Sequence, residues 1–211
     1  MSYQFNPPNK VYHATLFKHF ESIQNNVLIE NLEITYNADF GRGFYTTTNK
    51  IQAVQRARDI QKKFTKPGEK VTKQNRGIII SFDLNQDLLY TLGKYRYKVF
   101  DSINEDWARF IVKNRLWNSK VGLSHSYYWT YGGMADGSSL MRLCKMYYEG
   151  RLNLNDLLYG FDEDGEYQNG IQPFRNNYNQ LVFHKEHFAN QVLLNPQYDL
   201  YRERNVIKQK G

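Results

Sequence analysis

Hydrophobic residues along the chain occur in short runs that alternate with stretches of helical spacing. The runs predict strands at residues 10–16, 44–48, 78–82, 88–92, 95–100, 127–131 and 180–184. Apolar positions three to four residues apart predict helices at 51–64, 107–115, 139–150, 155–159 and 185–194, and a short helix or turn at 20–28. The helix at 51–64 would bury Ile51, Val54, Ala57, Ile60 and Phe64. Because strands and helices mix without a regular βαβ alternation, the pattern predicts an α+β fold on a largely antiparallel core.

Capping and turn residues place the ends of these elements. Thr48 or Asn49 can cap the first long helix, and Ser102 or Asn104 the second. The residues that predict turns or strand breaks are Pro67-Gly68, Gly93-Lys94 and Gly132-Gly133. Polar composition predicts a loop at 161–179 and a tail at 195–211, with one short strand at 198–201.

The bulk composition is that of a folded domain. The chain has 211 residues, of which 41% are hydrophobic and 16% aromatic. Such a composition supplies a substantial core and excludes a disordered chain. Since single cores grow to about 250 residues before they split, one domain spanning residues 1–211 is expected.

The charge is uneven along the chain. The net charge is +7, and residues 61–76 contain six basic residues against one acidic residue, Glu69. The basic residues are Lys62, Lys63, Lys66, Lys70, Lys73 and Arg76. Two interpretations stay open: a surface for nucleic acid or an acidic partner, or a solvated loop.

Several classes of protein lack support in the sequence. No apolar run approaches the roughly 18 residues of a membrane span, and the start of the chain lacks the features of a signal peptide. One cysteine, Cys144, excludes an internal disulfide framework and suits a reducing compartment, so a cytoplasmic protein without membrane contact is expected. His184 and His187 have a spacing that suits zinc, but no third ligand is evident, so no metal site is predicted.

The most informative segment is residues 38–48. Two glycines flank Arg42, two aromatic residues follow at Phe44 and Tyr45, and three threonines come next. A glycine-containing loop therefore delivers an aromatic pair onto a short strand beside a helix start. This arrangement is suited to holding an aromatic ring against a flat ligand.

Together with other blocks, this segment resembles the ADP-ribosyltransferase superfamily in its diphtheria-toxin-like branch. The closer similarity is to bacterial and phage proteins with an Asp-Phe-Gly-x-Gly-Phe-Tyr motif, which often lie beside antitoxin-like genes. The matching blocks are Tyr12-His13-Ala14, Asp39 to Thr48, Gln52-Ala53, Trp107 with Phe110, Asn114-Arg115, Gly132 to Asp136, Asn179-Gln180 and Phe183-His184. They occur in the family's order and cover about residues 10–190.

The resemblance implies two small, mostly antiparallel sheets that form a cleft for NAD, which is a substrate, with no metal. It assigns catalysis to His13, Tyr45 and Gln180. It assigns NAD binding to Tyr12, His13, Ala14, Asp39, Gly41, Arg42, Gly43, Phe44, Tyr45 and Thr46. In this scheme His13 bonds a ribose hydroxyl, Tyr45 with Phe44 stacks on the nicotinamide ring, and Arg42 neutralises the pyrophosphate.

Two positions depart from the family pattern. Ala14 stands where members have glycine, and Gln180 stands where the superfamily often has glutamate. A glutamine cannot accept the proton of the acceptor, so an assisting carboxylate is expected, either Asp39 or Asp136.

The resemblance implies a mono-ADP-ribosyltransferase acting on protein, RNA or DNA, with an antitoxin partner if the chain is a toxin. Two alternatives stay open. A non-catalytic module would bind nucleic acid or a protein through the basic residues of 61–76. An NAD glycohydrolase would use water as the acceptor.

Overall fold

A computed structural model of the chain describes residues 5–29, 38–91, 96–116, 124–135, 139–159, 170–171 and 178–201. The strands in it are β1 (Lys10–Leu16), β2 (Phe44–Thr46), β3 (Gly77–Leu84), β4 (Tyr97–Val99), β5 (Trp129–Gly133), β6 (Asn179–Phe183) and β7 (Leu193–Leu200). The α-helices in it are α1 (Phe20–Asn25), α2 (Lys50–Phe64), α3 (Gln86–Thr91), α4 (Glu105–Leu116), α5 (Leu140–Tyr148), α6 (Leu154–Tyr159) and α7 (Glu186–Val192).

The strands form two sheets, and the α+β prediction is confirmed. One sheet has the order β1-β3-β7 and the other the order β2-β6-β5-β4. Every pairing is antiparallel except that of β4 with β5. This agrees with the largely antiparallel core predicted from the hydrophobic pattern and with the two mostly antiparallel sheets that the resemblance implies.

The largest hydrophobic core lies between the two sheets. Ile80 and Phe82 of β3 contribute from one side, and Phe183 of β6 and Trp129 of β5 from the other. A second core forms where α4, α5 and α6 cover the opposite face of the second sheet, around Val182. Strand β6 is therefore buried on both faces, which explains why its apolar residues are nearly continuous.

Helix α2 covers the outer face of the first sheet, and its inner face agrees with the predicted one at Ala57 and Val54 but not at Ile51 and Phe64. Its buried residues are Gln52, Ala53 and Ala57, whereas Ile51 and Phe64 are about half exposed. A Cβ atom at Gly77 would lie 2.3 Å from the Ala57 carbonyl oxygen, so helix and sheet are in close contact. Small residues allow this approach, Val54 packs against the same cluster, and Ile51 and Phe64 turn outward.

The predicted capping residues are confirmed at two helices. The Asn49 side chain accepts hydrogen bonds from the backbone N–H groups of Ile51 and Gln52. The Asn104 side chain accepts one from the backbone N–H of Trp107. These bonds satisfy donors that the first turn of a helix leaves free.

The predicted strand at 88–92 is wrong, because this part of the chain forms α3. The Asn85 side chain accepts a hydrogen bond from the Leu88 backbone N–H and so caps a helical turn. In that turn Leu89 is buried against the main core. Helix α3 is short, so its few apolar positions do not distinguish it from a strand.

The predicted strand break at Gly132-Gly133 is also wrong. Both glycines lie inside β5 and pair with β6. A Cβ atom at Gly132 would approach Phe100 and Phe40 to 3.0 and 3.1 Å. The glycine therefore marks a close approach of side chains to the sheet rather than a turn.

The prediction of a polar tail at 195–211 is wrong for its first residues, because residues 195–200 belong to a strand. Helix α7 ends at Val192, and β7 continues to Leu200 as an edge strand paired with β3. It contains Pro196 and is largely exposed, so its sequence has the composition of a loop. The turn predicted at Gly93-Lys94, nearly all of the 161–179 loop and residues 202–211 lie outside the described residues.

The described helices also bear on membrane association. None of them has both the length and the apolar character that a membrane span requires.

Candidate functional site

A buried carboxylate collects hydrogen bonds from distant parts of the chain. The Asp39 side chain is 4% exposed. Its Oδ1 atom receives Arg115 Nε at 2.7 Å and Nη2 at 2.5 Å, and its Oδ2 atom receives Gln180 Nε2 at 2.6 Å and the Ala135 backbone N–H at 3.0 Å. We call Asp39, Arg115, Ala135 and Gln180 the Asp39 cluster. It joins the loop before β2, helix α4, the end of β5 and strand β6.

The contacts of Asp39 determine its ionisation state. Burial is the largest effect and raises the pKa of the Asp39 carboxyl above its usual value, while the Arg115 guanidinium and the Gln180 and Ala135 donors oppose this rise. All four groups around the carboxyl are donors, so a proton on either oxygen would point at another hydrogen. The ionised form is therefore the one that this site accommodates.

The Asp39 cluster fixes the orientation of the Gln180 amide. Because Nε2 donates to Asp39, the carbonyl oxygen Oε1 is directed away from the carboxylate. Gln180 is 7% exposed, and Oε1 has no hydrogen-bond partner among the described residues. An acceptor that is held in one orientation and has no partner in the protein is suited to binding a hydroxyl of a ligand.

Residues 38–43 form a loop before β2, which we call the 38–43 loop. Side chains from other parts of the chain hydrogen-bond to three successive carbonyl groups of this loop. His125 Nε2 binds the Phe40 carbonyl at 3.0 Å, Tyr45 Oη binds that of Gly41 at 2.7 Å, and His184 Nδ1 binds that of Arg42 at 2.7 Å. Tyr45 Oη also accepts the Phe40 backbone N–H at 3.0 Å. The loop is thus fixed in place although it has no regular secondary structure.

His184 is neutral in this arrangement. Its Nδ1 binds a carbonyl and must carry the proton, which leaves Nε2 to accept from the Thr130 hydroxyl at 3.0 Å. Burial lowers the pKa of His184 to about 3 and also lowers that of His125. Rings that lose their proton easily can serve as buried donors to carbonyls without an uncompensated charge.

The 38–43 loop lies directly against β6. A Cβ atom at Gly43 would lie 2.6 Å from the Phe183 carbonyl oxygen and 2.6 Å from Val182. Any larger residue would push the loop away from the strand, so this position requires glycine.

The two sheets approach each other at β1 and β2. Tyr12 and Thr47 exchange backbone hydrogen bonds of 2.9 Å each. In an antiparallel ladder the backbone groups of alternate residues point the same way, so the N–H and C=O of Ala14 also point toward β2. At that level His13 extends its ring to β2, and Nδ1 donates to the Tyr45 carbonyl oxygen at 2.7 Å.

His13 is also neutral. Burial lowers the pKa of His13 to about 4, and its bond to the Tyr45 carbonyl places the proton on Nδ1. Nε2 is then an acceptor, and it has no partner among the described residues. The ring stacks on Phe44 with centroids 4.4 Å apart.

The residues of β2 point alternately to opposite sides. Phe44 and Thr46 are buried, Phe44 in the core between the sheets, and Thr46 donates to the Leu181 carbonyl oxygen at 2.7 Å. The ring of Phe44 is therefore not presented to a ligand. Tyr45 pairs with Val182, so it lies on the same face of the sheet as Gln180, two residues away on β6.

Arg42 carries a charge without a partner among the described residues. Its Nε atom is buried and makes no hydrogen bond. A buried guanidinium donor without an acceptor is costly, and an anionic ligand would satisfy it. Arg42 lies in the loop between Asp39 and Tyr45, beside the other candidate residues.

Two further side chains position the site, and the sequence did not assign them this role. The Gln52 amide binds the backbone N–H and C=O of Asn179, each at 3.0 Å, immediately before Gln180. Trp107 Nε1 donates to the Gly133 carbonyl oxygen at 3.0 Å, at the end of β5. Both residues stand in blocks that carry the resemblance named above, but the blocks do not reveal what each side chain contacts.

The remaining predictions concern metals and a second carboxylate. Asp136 lies outside the described residues. In the described part of the chain, no group of three or more His, Cys, Asp or Glu side chains is placed to hold a metal ion. His184 and His187 do not share a helix face, because His184 precedes α7 and binds the 38–43 loop.

The chain was compared with protein families, with curated proteins and with solved structures. A family model described as "Protein of unknown function (DUF3990)" matches residues 10–194. No curated protein and no solved structure matches the chain.

The buried pair of the Asp39 cluster should dominate the stability of this region. Replacing Arg115 with Met leaves the Asp39 charge buried without its cation, and we expect a loss of about 3–5 kcal/mol in the free energy of unfolding. Arg109→Met is the control, because Arg109 lies on the same helix but pairs with Glu105 at the surface. Urea denaturation should show no clear change for the control. Equal losses for both variants would contradict the account.

The neutral histidines predict a decline of stability in acid. Because the pKa of His184 is lowered in the folded state, its contribution is complete above about pH 6.5 and is lost as the pH falls toward 3. Between pH 6 and 4, His184→Gln should reduce the slope of unfolding free energy against pH by about 1.4 kcal/mol per pH unit. His187→Gln, which changes an exposed histidine, is the control and should keep the wild-type decline. An unchanged slope in His184→Gln would refute the assignment.

Proposed function

We propose that this chain, which belongs to the DUF3990 family, is a mono-ADP-ribosyltransferase that uses NAD as the donor and a macromolecule as the acceptor. The observation that supports the proposal is the Asp39 cluster. Asp39, Arg115, Ala135 and Gln180 belong to separate motif blocks of the resemblance, and their polar groups meet at one carboxylate. On this proposal the fold is that of the ADP-ribosyltransferases, with the cleft where β1 and β2 approach each other.

The proposed NAD site uses the free groups around this cleft. Arg42 would bind the pyrophosphate, which supplies the anionic acceptor that its buried Nε lacks. Nε2 of His13 would accept a ribose hydroxyl, since its Nδ1 proton is held by the Tyr45 carbonyl. The backbone of Ala14 would bind the carboxamide, and the Tyr45 ring would stack on nicotinamide.

Gln180 would act on the ribose that is transferred. Its Oε1 atom would accept the 2′-hydroxyl of the nicotinamide ribose, and the Asp39 carboxylate would hold the amide in that orientation. As the glycosidic C1′–N bond breaks, its electron pair leaves with neutral nicotinamide and positive charge develops at C1′. A fixed acceptor dipole near that charge stabilises the transition state.

The second half of the reaction requires a nucleophile that loses a proton. A lone pair of the acceptor forms the new bond to C1′, and its proton passes to a base or to water. Asp39 is a weak candidate for that base, because both of its oxygens are occupied by donors. Its role in this proposal is to position Gln180, and Asp136 stays the second candidate for the base.

The cellular setting follows from the resemblance. The chain would act in the cytoplasm as the toxin of a toxin–antitoxin pair. A protein that modifies macromolecules of its own cell requires an inhibitor, so the expected partner is an antitoxin protein.

The proposal is tested with NAD that carries a label in its adenylate half, by measuring how fast the label becomes attached to macromolecules. In cell extract the wild-type chain should transfer label to a macromolecule, and Gln180→Ala should slow this by roughly 10–100-fold, the scale of one lost transition-state contact. Gln74→Ala, at an exposed position, should keep the wild-type rate. Free ADP-ribose without an acceptor would indicate a glycohydrolase. Equal rates in wild type and Gln180→Ala, or no turnover at all, would contradict the proposal.

A glutamate at position 180 tests whether the site depends on the amide of Gln180 or would work equally well with a carboxylate there. Gln180→Glu would place a second carboxylate where the amide now lies 2.6 Å from Asp39. Repulsion between like charges should lower stability at neutral pH and give no gain in rate. Adding Asp39→Asn should recover part of the lost stability, measured by urea denaturation. A single Gln180→Glu variant that is both stable and faster would show that Asp39 does not hold residue 180.

A further inference from the structure

The segment after α2 is built from two tight turns. In the first, Glu69 N–H donates to the Lys66 carbonyl oxygen at 3.0 Å. In the second, the Asn75 side chain accepts the Thr72 N–H at 2.6 Å. The end of the segment is tied to the chain after β1, since Phe17 N–H donates to the Arg76 carbonyl oxygen at 2.9 Å. These bonds hold the segment beside residues 17–18.

The basic side chains on and beside this segment form no ion pairs with described residues. Together with the exposed ring of Phe64 they make up what we call the basic surface, whose cations are Lys18, Lys62, Lys63, Lys66, Lys70, Lys73 and Arg76. Residues 61–76 contain one acid, Glu69, and its carboxylate accepts the Lys66 backbone N–H. None of the cations of the basic surface has an ion-pair partner among the described residues. Elsewhere, exposed lysines such as Lys10 and Lys50 face an aspartate.

Aromatic rings lie between these cations. Phe64 is 54% exposed, and its ring has Lys18 Nζ at 5.9 Å and Lys63 Nζ at 5.8 Å from the centroid. Phe17 has Lys73 Nζ at 4.6 Å. The ring of Phe64 contributes little to the core, so its exposure between two ammonium groups calls for a ligand that is both aromatic and anionic.

We propose that the basic surface binds single-stranded nucleic acid, with phosphates on the lysines and an unpaired base stacked on Phe64. Lysines and an exposed ring are the two components by which proteins bind single strands without reading sequence. A duplex keeps its bases stacked internally and would not use Phe64, and an acidic peptide would use the lysines alone.

The inference goes beyond the proposed function, because binding here requires neither NAD nor Gln180. The two regions are nevertheless joined by α2. Its first turn lies beside Asn179 through Gln52, and its last residue is Phe64. Its 15 residues span about 22 Å, so a strand bound at the basic surface can extend toward the cleft.

The test is fluorescence anisotropy with labelled oligouridine and oligodeoxythymidine of roughly 20 nucleotides, titrated with the full chain. The logarithm of the association constant should fall linearly with the logarithm of the salt concentration, with a slope of about 0.7 for each phosphate contact. A variant with Lys62, Lys63, Lys66 and Lys73 changed to Gln should reduce the slope by about 3. Phe64→Ala should weaken binding about tenfold with the slope unchanged.

Matched controls carry the same changes elsewhere. The control for the lysine variant removes the same amount of charge by changing four other lysines to Gln together: Lys10, Lys98, Lys113 and Lys145. The control for Phe64→Ala is Tyr148→Ala, which removes a ring that is 76% exposed. Both should bind like the wild type. The RNA and DNA arms identify which strand is preferred, and either preference supports the proposal.

Three results would overturn it. One is the absence of binding to either oligonucleotide at about 50 mM salt. Another is an equal loss in the control variants, which would show an effect of net charge alone. The third is tighter binding of a duplex or a polyglutamate peptide with no dependence on Phe64, which would assign the surface to a different partner.

Discussion

The site depends on the hydrogen bonds and the ion pair that the ionised carboxylate of Asp39 makes with its neighbours. It is buried, and it satisfies the Arg115 guanidinium, the Ala135 backbone N–H and the Gln180 amide at once. Loss of any one partner leaves a polar group buried without its complement, at a cost of several kcal/mol when a charge is involved. The ends of β5, β6 and α4 therefore have one consistent arrangement around the loop that precedes β2.

The loop itself is ordered by side chains rather than by secondary structure. Neutral His125 and His184 and the Tyr45 hydroxyl hold three successive carbonyls, and Gly43 lets the backbone lie against β6. A site fixed before its ligand arrives loses less entropy on binding. The same bonds leave Arg42 with a buried donor that lacks an acceptor, which is the kind of local frustration that functional sites retain.

The sequence predicted elements whose local signal is strong and missed those that depend on distant contacts. Strand β1 and the Asn49 cap follow from periodicity and capping chemistry. Helix α3 is too short for its periodicity to be decisive, and β7 is an exposed edge strand with a proline. Asp39 and Gln180 were named as candidates, but their mutual hydrogen bond spans 141 residues of sequence and no local pattern reveals it.

Calorimetric titration of NAD into the purified chain tests the central claim most directly, with Tyr45→Phe, Tyr45→Ala and the exposed Tyr148→Ala compared at equal folded fraction. The account predicts that the wild type and Tyr148→Ala bind NAD alike. It predicts that Tyr45→Phe, which keeps the ring but loses the hydroxyl that holds the 38–43 loop, binds NAD more weakly than the wild type, and that Tyr45→Ala loses binding. Absence of binding in the wild type, or equal binding in Tyr45→Ala, would contradict the assignment of this cleft to NAD.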